Sequence, residues 1–393
     1  MSWAKERIGN CCEITSSKRI FYSEYVPTGV PFYRSKEIIE CSSGKTISEP
    51  LFISQEKYEE IKTNFGVPVA GDILLTSVGT IGISYVVKAT DHFYFKDGNL
   101  TWFRNFSEKL IPQFLKYWLS SNEGFGVLNN STIGSSQKAL TIAALKNIEI
   151  PLPPYRIQHK IVDILSAYDN LIENNQKQIK LLEEAAQRLY KEWFVDLRFP
   201  GYETTPVVDG VPEGWHRERL VDIAKVQYGY AFDGALFNSI GNGMPIVRIR
   251  NIPSGNTEDF TTESADDQYI IRNGDILVGM DGEFHINSWS GRDAYLVQRV
   301  CCLRSENPRM TGYLLQAIYE PIKYFEKTVV GATVAHLGKK HIDTIVLLTG
   351  PNELYIPFQR YFDKRQLLLN QNHLLCEARD RLLSKLMSGE IEV

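Results

Sequence analysis

The chain states one pattern twice, and each statement ends in a long helical segment. Pro31-x-x-Arg34, Gly71-Asp72-Ile73-Leu74, the Ile133-Gly134 turn and Arg188-Leu189 recur in order as Pro245-x-x-Arg248, Gly274-Asp275-Ile276-Leu277, Val330-Gly331 and Arg381-Leu382. The separation falls from 214 to 203, 197 and 193 residues, so length differences fall between landmarks while their order survives. A period near 200 is far too long for a solenoid repeat. Each copy is therefore expected to be a domain with its own core and an appended helix, fitted to a ligand that itself has two parts.

A length of 393 residues with 43% apolar and 23% charged content fits two or three ordinary globular domains. No run of 18 apolar residues occurs, and Met1 to Arg7 lacks the apolar core of an export signal, so a cytoplasmic protein without a membrane partner is expected. The six cysteines include two adjacent pairs but no C-x-x-C, which predicts small buried hydrophobes in place of disulfides or zinc ligands. A formal charge of −4 argues against a surface that grips nucleic acid everywhere, yet leaves room for a local basic face.

Within the first copy, Ile73-Leu74-Leu75, Ile81 to Val87 and Leu100 to Phe103 read as strands, and Leu110 to Leu119 as an amphipathic helix. In the second, Ile276-Leu277-Val278, Tyr295-Leu296-Val297 and Val300 to Leu303 read as strands, with a helix from Tyr313 to Ile322. Each domain is thus mixed α/β. Pro151-Leu152-Pro153-Pro154 closes the first of them.

Beyond those prolines the period changes. Ile161, Leu165, Tyr168, Ile172, Asn175, Ile179, Leu182, Ala186, Leu189 and Trp193 alternate steps of four and three, the a/d seam of a coiled coil. A helix over 157–194 would be roughly 57 Å long at 1.5 Å per residue. Phe358, Leu368, Asn372, Leu375, Leu382 and Leu386 give a less regular second seam, again with one asparagine. Asn175 and Asn372 are the predicted register-setting pair, since a buried Asn in such a seam fixes partner and alignment. Packed on each other antiparallel, the helices would hold the domains at opposite ends of a pseudo-twofold molecule. The alternative is that each helix covers only its own domain.

No catalytic constellation emerges. Leu152-Pro153-Pro154-Tyr155 resembles an amino-methylating loop but has Leu where the amino-group acceptor must stand, and neither G-x-G-x-x-G in context nor a P-loop is present. The seven histidines are scattered, and Asp72 and Asp275, each after glycine and before an apolar run, read as turn residues. Binding is the better reading. Thr132 to Lys138, including Gln137 and Lys138, answers to Val330 through His336, including Thr333 and His336, with Lys339 and Lys340 following. Arg34 and Lys36 answer to Arg248, Arg250 and Asn251. Arg and Lys suit guanine edges and phosphates, Gln and Asn adenine edges, though the same types furnish ordinary polar loops.

Ile150 to Val162, running into Leu181-Leu182-Glu183-Glu184 and Lys191 to Val195, resembles the central region of specificity subunits of type I restriction-modification systems. Val211 to Trp215 and Pro245 to Ile252 resemble the opening of a target recognition domain in that family, and Leu382 to Ile391 its C-terminal ending. The second copy departs in having Gly350-Pro351-Asn352-Glu353 where a Pro-rich turn and a nearby Gln are expected, which weakens the case for equivalent helix entries.

The resemblance implies target recognition domains at 1–154 and 214–351, long helices at 155–199 and 352–393, and a linker at 200–213. It implies a non-catalytic subunit in which each recognition domain reads half of a bipartite, asymmetric site in double-stranded DNA. The helices would act as a ruler for the unread spacer and dock two methylase subunits. S-adenosylmethionine, ATP and Mg would belong to the methylase and motor-nuclease partners, with no cofactor or metal in this chain. The specificity subunit of a type IIB-like enzyme and a coiled-coil protein scaffold are the competing readings.

Overall fold

A computed structural model describes residues 3–44, 47–134, 138–328 and 335–393. The chain divides into two compact units, Met1–Glu173 with Leu375–Val393, and Asn174–Leu374. The division falls inside both long helices, so each unit is a globular domain with parts of both.

In the first unit, strands Glu13–Thr15, Leu100–Arg104, Ile73–Thr76 and Ser84–Val86 lie side by side in that order, all antiparallel. A smaller sheet orders Tyr25–Val26, Leu51–Ile53, Val30–Tyr33 and Tyr94–Phe95, the last pair parallel. Lys5–Arg7 pairs with Glu149–Pro151 and ties the start of the domain to its end. The second unit repeats this plan. Ala224–Tyr228, Val300–Ser305, Ile276–Gly279 and Ile286–Ser288 form the larger sheet. Phe237–Asn238, Phe260–Thr261, Met244–Val247, Ala294–Leu296 and Ile270–Ile271 form the smaller, and His216–Arg219 pairs with Val346–Thr349.

The central strands are unbroken apolar runs because both of their faces are buried. Ile73 and Leu75 enter one core with Phe103, while Leu74 enters another with Trp102. Likewise Ile276 and Val278 pack with Cys301, and Leu277 with Cys302 on the opposite face. The adjacent cysteines thus serve two cores as apolar groups, and burial pushes the Cys301 thiol up to about 12.

Some expected elements shift. Ile81-Gly82-Ile83 is a turn, with the Gly82 amide donating to Thr76 O, so the strand begins only at Ser84. The second-copy helix is two, Thr311–Ala317 and Tyr319–Thr328. Asp72 and Asp275 close turns at left-handed Gly71 and Gly274 (φ +92° and +93°). Asp72 accepts from the Val69 amide and Trp102 Nε1, Asp275 from the Arg272 amide and the Arg304 guanidinium.

The first long helix spans Tyr155–Tyr190 and continues through a π turn, Lys191–Val195. The second spans Ile356–Ser388 after a 3-10 turn at Asn352–Tyr355. In the first unit, Ile161 and Leu165 share a core with Leu383, Leu386 and Met387. In the second, Asn175 Nδ2 donates to Asn372 Oδ1 at 2.9 Å, Arg365 pairs with Glu183 at 2.6 Å, and Trp193 packs edge-on to Phe358. Rising numbers on one helix meet falling numbers on the other, so the pairing is antiparallel. No residue of the ten-member first seam is exposed. Each helix also starts on its own domain and ends in the core of the other copy's. The C-terminal helix completes the first core with Leu386, as the first helix completes the second with Phe194.

The two helix entries are more alike than the sequence suggests. Gln158, fully buried, accepts from the Ile111 amide through Oε1 and donates through Nε2 to Lys109 O and Pro153 O. Gln359 Oε1 accepts from the Gly312 amide in the matching place, 201 residues on for both partners. Gln158→Leu leaves a buried amide and two carbonyls unpaired and is expected to cost about 2–4 kcal/mol. Urea unfolding measures it, and a change below about 0.5 kcal/mol would contradict this account.

Asp169 accepts from Tyr117 Oη and pairs with Lys116 and Arg379, which crosses from the second helix. Burial, the largest single influence, would raise its carboxyl, but Lys116, Arg379 and Tyr117 together hold it below the usual value. A depressed carboxyl contributes stability that is present above the unfolded-chain pKa of about 3.9 and lost as pH falls through the lower folded value. Asp169→Asn is expected to flatten the acid limb of the stability profile below about pH 4. An unchanged limb counts against the cluster.

Candidate nucleic-acid interface

In both copies the residues at the end of the loop singled out by sequence dock on the turn that follows a central strand. Val78 bridges to Ala139, and the Leu140 amide donates to Ser77 O. In the second copy Asp281 bridges to His336, the Leu337 amide donates to Met280 O, and the Gly282 amide donates to Ala335 O. The turn is held in turn by the next strand's lead-in, through Ser77 N to Asn99 O and Met280 N to Arg299 O. The backbone scaffold is therefore the same twice.

Its chemistry is not. Where the first copy has Val78, Ala139 and Asn99, the second has Asp281, His336 and Arg299. His336 Nδ1 lies 2.6 Å from Asp281 Oδ1, and Arg299 Nε 3.4 Å from Asp281 Oδ2. Lys138, Lys339 and Lys340 are exposed, the last two opening the short helix Lys339–Asp343. Gln137 and Thr333 lie outside the described residues, as does the Val330-Gly331 landmark.

Arg34 and Arg248 occupy matching turns at the ends of Val30–Tyr33 and Met244–Val247. The Arg34 amide donates to Glu37, whose buried carboxylate also grips the Arg34 guanidinium at 2.6 Å. Burial favours the neutral Glu37 carboxyl most, but the bonds from Arg34 outweigh it and hold the group below its usual range. In the second copy Asn251 replaces Glu37 as the cap acceptor for the Arg248 amide, and Asp259 receives both Arg248 and Arg250. There too burial is the largest influence and the two guanidiniums overcome it, leaving Asp259 below its usual value. Arg34, Arg248 and Asn251 thus brace their turns, while Arg250, 63% exposed, and Lys36, paired with exposed Glu49, face solvent. A Cβ at Gly279 would stand 3.1 Å from Ile249 Cγ2, which places the Arg248–Asn251 turn beside the Met280–Gly282 turn. Asn175 and Asn372 meet as the seam predicted.

Sequence reading passed over Asp281 and Arg299. The signal available was a loss of correspondence, namely three polar residues where the other copy has Val, Ala and Asn.

A family model for the type I restriction modification DNA specificity domain matches residues 2–184 and 212–348. The chain is 28% identical to the type I restriction enzyme MjaIX specificity subunit of Methanocaldococcus jannaschii over 82% of this chain and 78% of that protein. It is 26% identical to the MjaVIII specificity subunit of the same organism, over 71% and 70% respectively. Its fold is similar to that of the S subunit of a type I restriction-modification system from M. genitalium, with a TM-score of 0.56 at 16% identity over 98% of this chain and 96% of that one. The matched segments cover most of both globular copies and most of the first long helix, and the chain belongs to the family of type I restriction-modification DNA specificity subunits.

Proposed function

We propose that this chain reads a bipartite, asymmetric DNA sequence for a restriction-modification complex, one half-site to each globular domain. The observation that carries the reading is the twice-built loop-on-turn scaffold whose side chains differ between copies, since one backbone frame bearing two chemistries suits two unlike half-sites. Arg34, Lys36, Gln137 and Lys138 serve the first half-site. Arg250, Thr333, His336, Lys339 and Lys340 serve the second, with Arg248 and Asn251 fixing the turn that presents Arg250. Arginine and lysine can reach guanine edges or phosphates, and glutamine adenine edges.

The paired helices set the length of the unread spacer and dock two methylase subunits. Methylation of adenine needs the base out of the stack and in a pocket on another chain, where S-adenosylmethionine binds. ATP and Mg belong to motor-nuclease partners, and the complex works in the cytoplasm. A net charge of −4 is compatible with this because partners share the phosphate contacts. A mobility-shift titration of the methylase complex on duplex DNA tests it. Sequence-selective, salt-sensitive binding that disappears when this chain is left out is expected. Equal binding with or without it would refute the assignment.

A further inference from the structure

Arg299 is absent from every sequence-level reading of the interface, yet its backbone lies in the left-handed region at φ +73°, where a branched or long side chain is costly. The corresponding turn of the first copy meets that need with Gly98, at φ +79°, and carries Asn99 where Arg299 stands. The backbone duty is the same in both, an amide accepted by the Asn99 or Arg299 carbonyl. Nothing in that duty requires a guanidinium.

The side chain is nonetheless fixed. Asp281 takes Nε at 3.4 Å and His336 Nδ1 at 2.6 Å, while Arg299 Nη1 lies 3.4 Å from the same His336 nitrogen. Asp281 so orients both side chains, and Arg299 remains 54% and His336 45% exposed. Nη2 has no hydrogen-bond partner among the described residues. Nη2 and the remaining hydrogen of Nη1 are coplanar donors on a side chain that is 54% exposed, the donor pair that takes the O6 and N7 of a guanine in the major groove. Charge, orientation and tolerated backbone strain coincide at one place, and all three are missing from the first copy.

We infer that Arg299, oriented by Asp281, is a specificity-determining residue of the second domain that reads a guanine in its half-site. The inference rests on the DNA-reading function proposed above and deepens it. Its test uses the complete methylase complex, after the wild-type motif has been found by mapping methylated adenines. Methylation rates are then compared on duplexes carrying single base changes in either half-site. Arg299→Asn, which installs the first copy's residue and suits a left-handed backbone, should leave the melting temperature unchanged. It should erase discrimination at one guanine of one half-site by about 10- to 100-fold. Asp281→Val, again the first copy's residue, should reproduce the same relaxation at the same base.

Undiminished discrimination at every position overturns the inference. So does a uniform loss over all duplexes with a shallower salt dependence, which would make Arg299 a phosphate contact. A lowered melting temperature accompanied by unchanged base preference would make it a structural residue. If the wild-type complex shows no bipartite preference, it is the function proposed above that fails.

Discussion

Arg365→Ala is expected to destabilise the second unit by about 2–4 kcal/mol. The side chain is only 10% exposed and is the hub of a polar cluster. Nε donates to Glu183 on the facing helix, Nη1 to Ser288 Oγ, and Nη2 to Asn287 Oδ1, both of the latter on the edge strand Ile286–Ser288. One guanidinium therefore joins both long helices to the second domain's sheet. Its removal strips donors from two largely buried oxygens and leaves a hole beside them. Glu183 contributes less to the cost, because at 44% exposure its carboxylate can turn to water. Arg365→Lys should recover only part, since one ammonium cannot hold the same planar fork. Thermal and urea unfolding check this, and a loss under about 0.5 kcal/mol for the alanine variant would mean that the cluster is incidental.

The second large effect concerns spacing. Inserting one heptad beside Asn175 and one beside Asn372 keeps the seam in phase and the asparagines opposed, but lengthens the pair by roughly 10 Å at 1.5 Å per residue. Methylation at the native sites should fall to background. If it reappears, it should be at sites whose half-sites are unchanged and whose spacer differs by about three base pairs, since DNA rises roughly 3.4 Å for each. Native spacing retained by an active variant would refute the ruler.

Periodicity made some features readable and distance hid others. The first seam could be seen because ten apolar or amide residues at 3.5-residue spacing have no other use, and Asn175 meets Asn372 as that pattern requires. The long central strands were visible as apolar runs. Of the smaller sheets only the strand at Tyr295-Leu296 was, because their strands are two to four residues long and are set by pairing with remote partners. Nothing in the sequence around Arg365 points to its role, for its partner Glu183 lies 182 residues away. Gln359 escaped notice because Gly350-Pro351 lacks the proline-rich setting of Gln158, although the hydrogen bond to the neighbouring helix is the same.

The binding residues were half legible for a related reason. Residue type identified Arg34 and Arg248 as basic groups in matching turns but could not reveal that Glu37 and Asp259 engage them. Arg-x-x-Glu is not a usual capping signature, so Arg34 to Glu37 did not announce itself as a helix start. Conversely, the Asp281, His336 and Arg299 cluster joins three stretches that only the fold brings together.

The central claim is that one chain with two related recognition domains specifies one two-part DNA site. Genome-wide mapping of methylated adenine in cells with and without the gene tests it most directly. The account predicts a motif of two unlike halves separated by a fixed unread gap, present with the gene and lost without it. A single uninterrupted motif, or a methylation pattern indifferent to the gene, would contradict it.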